Sequence, residues 1–331
     1  MRRVRSDRDW VTDPAALELL EVEGGPFESA LYRRLWIESL PRWRDVSYGA
    51  RAPDGTLAAI ALLSDADVAD SVPGNYGGVI ASRPLGAPEM RSFLHAALGS
   101  SGARSLVVKT VPVRPTERTA HSGGQALAWT SVIYMSREES LVPRWAYKVR
   151  RAIRLARSAS ASVAITDDPE AFIRLYEATA SAHLFRYPSS LLRGLAQSGL
   201  ARCYDVCIGE DVVSSVFVMT STNHWMALLA AQDERGRSVQ GNYLAVATML
   251  EDAQRRGVRA VNLGISYDMP GVAHFKQRFD AVLVPMMIHQ LIRPDARLIG
   301  WTRDRLRTVT RAASRSLGPW IGPARRRRQG S

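Results

Sequence analysis

A chain of 331 residues exceeds what one hydrophobic core usually fills, so two domains of roughly 150 residues each are expected. An apolar content of 46% with 23% charged residues excludes an extended disordered protein, and no apolar run approaches the roughly 18 residues that a membrane-spanning helix needs. The net charge of +12 favours polyanionic partners such as RNA, anionic lipid surfaces or phosphorylated substrates, without choosing among them.

The N-terminus MRRVRSDRDWVTD lacks an apolar signal region, and a cytoplasmic protein is expected. Of 44 basic residues, 41 are arginine and three are lysine: Lys109, Lys148 and Lys276. An arginine skew of this size reads as coding bias. It singles out the lysines, whose compact ammonium shifts its pKa more readily than a guanidinium does. Cys203 and Cys207, four apart in ARCYDVCIG, fit one face of a strand and read as core packing rather than a disulfide or metal site.

In chain order, PFESALYRRLWIESL has apolar residues at helical spacing. VSYGARA and TLAAIALL flank Pro53-Asp54-Gly55, the turn chemistry of a hairpin. A helix over about 88–98, strand SLVVKTVPV and strand ALAWTSVIYM complete a mixed first half. The segment LVPRWAYKVRRAIRLARSAS then reads as a basic amphipathic helix, with Trp145, Val149, Ile153 and Ala156 on one stripe.

After it come strand SVAIT, a helix opened by Asp167-Asp168-Pro169, helix LLRGLAQSG, and strands ARCYDVCIG, VVSSVFVMTST and WMALLAAQ. The loop DERGRSVQG then leads into an amphipathic helix, strand AVNLGIS, a short helix near GVAHFKQRF and strand VLVPMMIHQLI. The division expected is 1–140, 141–297, and a basic helix and arginine tail over 298–331 that suits a phosphate-backbone or membrane-surface contact. The fold class expected is α/β with mixed sheets: three antiparallel strands, a loop, a helix, a strand, a helix and a last strand is the element order of a GNAT (acyl-CoA N-acyltransferase-like) domain. The first half has a degenerate version of it, which makes two tandem GNAT-like domains.

Three stretches together resemble the Fem and FemAB-related acyltransferase superfamily. WAYKVRRAIRLARSASASVAIT is similar to the basic helix and strand that open the second domain in those proteins, GNYLAVATMLEDAQRRGVRAVNLG to their loop-helix-strand unit, and GVAHFKQRFDAVLVP to their Phe-Lys motif and following strand. YGGVIA in the first half adds to it. The resemblance implies transfer of an acyl or aminoacyl group to an amine without a metal or redox cofactor, with aminoacyl-tRNA as co-substrate. It places Phe275 and Lys276 on the Phe-Lys motif.

Aminolysis of an ester needs an unprotonated amine within reach, stabilisation of the anionic carbonyl oxygen and a proton route to the leaving hydroxyl. Lys276, between aromatic Phe275 and Phe279, suits the second task. Asp268 is a candidate to orient the amine, and His274 to relay a proton. Asn262, Ser266 and Tyr267 lie in NLGISYD, where a strand ends and a pocket would open. Tyr243 and Asn242 start the helix after the loop, with Asn242 as its cap and free N–H groups for a phosphate or carbonyl oxygen. His183, Arg186 and Tyr187 in SAHLFRYPSS are candidates for acceptor contacts, and Lys148, Arg150, Arg151 and Arg154 for phosphate contacts.

Acetyl-CoA-using GNAT enzymes carry Arg or Gln, two residues, Gly, one residue, then Gly or Ala in this loop. Arg235 to Gly241 departs from that spacing, which favours aminoacyl-tRNA as donor. GxxxxGK[ST], GxSxG, HExxH and CxxC are absent, so NTPase, hydrolase-elbow, zincin and zinc-ribbon readings lack their signatures. Three functions stay open at this point: an aminoacyl-tRNA-dependent transferase acting on a cell-wall precursor or peptide-like natural product, an acyl-CoA-dependent N-acyltransferase of envelope or polysaccharide chemistry, and a non-catalytic RNA- or membrane-surface-binding protein.

Overall fold

The computed structural model describes residues 10–71, 77–110, 125–136, 139–179, 186–266 and 269–293. The C-terminal segment 298–331, His183, Tyr267 and Asp268 fall outside them.

The first half contributes β1 (Val11–Thr12), α1 (Glu18–Val22), α2 (Ala30–Ser39), β2 (Arg44–Asp45), β3 (Tyr48–Arg51), β4 (Leu57–Ile60), β5 (Leu63–Asp65), β6 (Val68–Asp70), β7 (Val79–Ala81), α3 (Ala87–Ser101), β8 (Ser105–Thr110) and β9 (Gln125–Tyr134). Ser29 Oγ caps α2 through Tyr32 N at 3.2 Å. The hairpin β3–β4 turns at Pro53-Asp54-Gly55 as the sequence suggests, with Gly55 at φ +86°, where a side chain would be strained. Together with β1 and β7 these strands form a small sheet in the order β1-β3-β4-β7.

The second half contributes α4 (Tyr147–Ser158), β10 (Ala161–Thr166), α5 (Glu170–Ala178), α6 (Ser189–Gln197), β11 (Ala201–Ile208), β12 (Asp211–Met219), β13 (His224–Gln232), α7 (Glu234–Ser238), α8 (Gly241–Arg255), β14 (Ala260–Ile265), α9 (Pro270–Gln277) and β15 (Val282–Ile292). Val149, Ile153 and Ala156 are buried as their spacing predicts, and so is Trp145, which lies ahead of α4 at the end of a short 3-10 turn, Val142–Arg144. The expected glycine-containing loop is instead the helical turn α7. Gly236 is needed there because a Cβ would stand 2.2 Å from the Val213 carbonyl oxygen.

A single 11-stranded sheet runs through both halves, in the order β10-β11-β12-β13-β14-β9-β15-β8-β6-β5-β2. β9, from the first half, pairs with β14, and β15, from the second, lies between β9 and β8. Backbone pairing thus crosses the expected boundary at residue 140.

Strand alternation distributes the core over two faces. Tyr204, Val206, Val216, Val218, Trp225 and Ile133 face α4, α8 and α9, while Cys203, Phe217, Met219 and Met226 face α5, α6 and α2. Cys203 and Cys207 are free thiols, the first buried. Each large side chain buried this way contributes about 1.5–3 kcal/mol. A separate core beneath α3 holds Tyr48, Phe93, Leu106 and Val108.

Candidate active site

β13 and β14 run parallel but pair only over His224–Met226 with Ala260–Asn262. Beyond those residues the two strands part. The β14–β9 ladder is irregular at the same level: Asn262 pairs with Val132 and Ile265 with Thr130, so Ser131 alone faces Leu263 and Gly264. Gly264 has φ +81°, which glycine alone adopts without strain. A Cβ on it would lie within 4 Å of the Ala227 carbonyl oxygen, Met226 and Lys276 Nζ, which locates all three in the wedge between the strands.

α9 lowers Lys276 into this wedge. The helix begins at Pro270, a residue suited to a first turn, and Lys276 is 7% exposed. Its Nζ donates to the carbonyls of Gly264 at 2.8 Å and Ile265 at 2.9 Å. Burial pushes the Lys276 ammonium down to about 7, while the two carbonyl acceptors favour its charged form. A cation so poised exerts a stronger field on a neighbouring oxygen than it would in water.

Asn262 Oδ1 holds the bulge: it accepts from Thr130 Oγ1 at 2.6 Å and from Gly264 N at 2.7 Å. That oxygen is spent on architecture. Ser266 is 3% exposed, and among the described residues its Oγ has no hydrogen-bond partner; the same is true of the fully buried Ser131. Nothing in the sequence marks Ser131, because it reaches the site through strand pairing alone.

Aromatic rings seal the other side of α9. Tyr243 meets Phe275 at 4.7 Å and Phe279 at 5.8 Å between centroids, and Trp145 meets Phe279 at 5.7 Å. Arg278 donates to Tyr243 Oη at 2.7 Å, and its carbonyl accepts from Ala146 N at 2.9 Å. Arg144 and Asp280 form an ion pair beside this contact. The start of the basic helix is thereby fixed to the end of α9.

Of the residues singled out from the sequence, Lys276, Phe275, Tyr243, Asn262 and Ser266 come together here. Asn242 does not cap α8: Gln240 stands at the cap with φ +62°, and Asn242 Oδ1 accepts from Ser214 Oγ at 2.8 Å. The Tyr243 N–H is taken by Gln240 O at 3.0 Å. Tyr187 lies in the core on the opposite face, its ring 6.2 Å from that of Trp36, and exposed Arg186 precedes it. His274 is exposed. On α4, Lys148, Arg151 and Arg154 are exposed, whereas Arg150 donates to the Trp145 carbonyl at 3.0 Å. A hollow of about 540 Å³ lined by Gln254, Arg255, Arg256 and Gly257 lies at the far end of α8, where both arginines already pair with Asp252. It is remote from Lys276.

Residues 144–277 match the acetyltransferase (GNAT) domain family. No curated protein sequence matches the chain. Among solved structures, FemX aligns at 14% identity over 87% of this chain and 98% of its own, with a TM-score of 0.62. L-PGS from Bacillus licheniformis aligns at 14% identity over 93% and 98%, with a TM-score of 0.53. The C-terminal domain of a putative lysylphosphatidylglycerol synthetase from Agrobacterium fabrum aligns at 11% identity over 86% and 94%, with a TM-score of 0.52.

Residues 144–277 are therefore a GNAT acetyltransferase-type domain, and the chain as a whole shares the fold of FemX. The family matched over residues 144–277 is one of acyltransferases, and the likeness to FemX and L-PGS is a likeness of fold. Among the described residues no helix is long and apolar enough to cross a membrane.

Proposed function

We propose that the protein transfers an aminoacyl group from aminoacyl-tRNA to an amine of a cell-wall precursor or peptide-like natural product, forming an amide bond in the cytoplasm. The observation that carries this reading is the buried Lys276 ammonium in the wedge between β13 and β14. The amine nitrogen attacks the ester carbonyl, and the negative charge that gathers on its oxygen is stabilised by Lys276. The C–O bond to the ribose then breaks, and the proton lost by the amine passes to the released hydroxyl. Among the residues outside the described regions, Asp268 is proposed to orient the amine. The exposed Lys148, Arg151 and Arg154 on α4 supply cations for the RNA backbone.

The test is incubation with charged total tRNA and a panel of small amines and peptides. Transfer that RNase abolishes supports the reading, and its absence with every charged tRNA rejects this donor. The match of residues 144–277 to an acetyltransferase domain favours a second reading, an acyl-CoA donor. Calorimetry with acetyl-CoA separates the two, because tight binding belongs to the second.

A further inference from the structure

Trp129 is 54% exposed, an unusual position for the largest apolar side chain. On β9 it shares a face with Ser131 and Ile133, and Ile133 is buried in the core with Tyr243 and Phe279. Trp129 therefore stands on the sheet face that carries α8 and α9. The β9–β14 ladder ends with Ile265 opposite Thr130. β14 ends at Ile265; continued one residue past it, the antiparallel register would set Trp129 level with Ser266, next to the Ile265 carbonyl that accepts from Lys276 Nζ. On its other side Trp129 pairs with Pro285, and Leu283, on the same face of β15, is 39% exposed.

An open apolar ledge thus adjoins the anchored cation and a buried hydroxyl, Ser266 Oγ, that has no hydrogen-bond partner among the described residues. A buried hydroxyl left unbonded costs stability unless a ligand or water completes it. A flat ring joined to a sugar would satisfy both features, with the ring on the indole and a sugar oxygen at Ser266.

We propose that Trp129 is the stacking platform for the terminal adenine of the RNA donor, with Ser266 Oγ hydrogen-bonded to the ribose that carries the aminoacyl ester. This rests on the aminoacyl-tRNA reading. In such a donor the ester and the base share one ribose, so a base beside Lys276 puts the reacting carbonyl within one nucleoside of the cation. In an acyl-CoA the adenine is separated from the thioester by the whole pantetheine arm and cannot occupy the ledge during transfer. The exposed cations of α4 suit the phosphates that follow the terminal nucleoside.

The probe is adenosine carrying a 3′-amide-linked amino acid, which cannot be cleaved as an ester, compared with the same compound lacking the base. Trp129→Ala weakens the adenosine probe roughly 10- to 100-fold. Trp129→Phe restores most of the affinity, and the baseless compound binds wild type and Trp129→Ala equally. The melting temperature of Trp129→Ala stays that of wild type, as expected for a half-exposed side chain. Equal binding of the adenosine probe to wild type and Trp129→Ala overturns the platform. So does a wild type that transfers from charged tRNA but does not bind the probe, and in both cases the aminoacyl-tRNA reading survives. A wild type that uses acetyl-CoA and ignores both charged tRNA and the probe removes the donor reading, and the platform with it.

Discussion

Lys276 Nζ lies 2.8 Å from the carbonyl oxygen of Gly264, twelve residues earlier in the chain, at the point where β14 leaves β13. The contact joins three features: a helix that delivers a cation, a bulge whose carbonyls accept from it, and the end of the β13–β14 pairing beyond Met226 and Asn262.

Lys276→Met is expected to lower the rate of transfer by about 100- to 1,000-fold, the usual consequence of removing one stabilising donor from a developing oxyanion. Single-turnover transfer assays alongside circular dichroism check it. An unchanged rate in a folded variant removes Lys276 from the chemistry.

The pH dependence follows from the same burial. If the charged form is the active one, the rate falls as pH rises through about 7, and Lys276→Arg moves that limb to higher pH. Stability behaves oppositely. The unfolded chain keeps this proton to about 10.5 and the folded protein loses it near 7, so between those values the unfolded state holds more protons and the contribution to stability rises with pH. The penalty is complete below about 7. Urea unfolding of wild type and Lys276→Met from pH 6 to pH 10 measures it, and the slope from this group should vanish in the variant.

Asn262→Ala leaves the Gly264 N–H and the Thr130 hydroxyl without their shared acceptor in a buried site. The expected loss is about 2–4 kcal/mol of stability, with misplacement of the Lys276 anchor as a second effect. Chemical denaturation checks the first, and a fall in kcat larger than the change in KM checks the second.

Gly264→Ala is strained by its φ of +81° rather than by crowding, since the nearest atom to a new Cβ would be 3.7 Å away. A cost of about 1–2 kcal/mol is expected. Gly241→Ala fails for the other reason: its Cβ would stand 2.7 Å from Ser214 Cβ, forcing α8 away from β12. Thermal unfolding of the two variants, with activity measured well below the melting temperature, separates a local effect at the wedge from a loosened core.

The double variant Lys148→Glu, Arg151→Glu changes only exposed positions on α4. Its melting temperature should match wild type, while affinity for charged tRNA falls and the slope of log affinity against log salt becomes shallower by about 2. Filter-binding titrations over a range of salt concentrations read both quantities.

Local patterns in the sequence located most of the elements. The periodicity of α4 predicted which of its side chains are buried, Pro53-Asp54-Gly55 marked the first hairpin, and the residues around Lys276 marked the short helix α9. The site was half legible. Lys276 and Phe275 were identified from their motif, whereas Asn242 and Tyr187, equally polar or aromatic in sequence, are engaged with Ser214 and with the opposite core.

Ser131 and Trp129 carried no signal, because both owe their positions to pairing with residues more than 130 places away along the chain. The amino-acid sequence alone determined the local elements, since spacing, caps and turns act over a few residues. Only the tertiary structure decided that β15 lies between β8 and β9, that β14 bulges at Gly264, and that Lys276 sits in the wedge so formed. Strand order and register are set by which distant edges bury their apolar faces together, and that is a property of the whole chain rather than of any stretch of it.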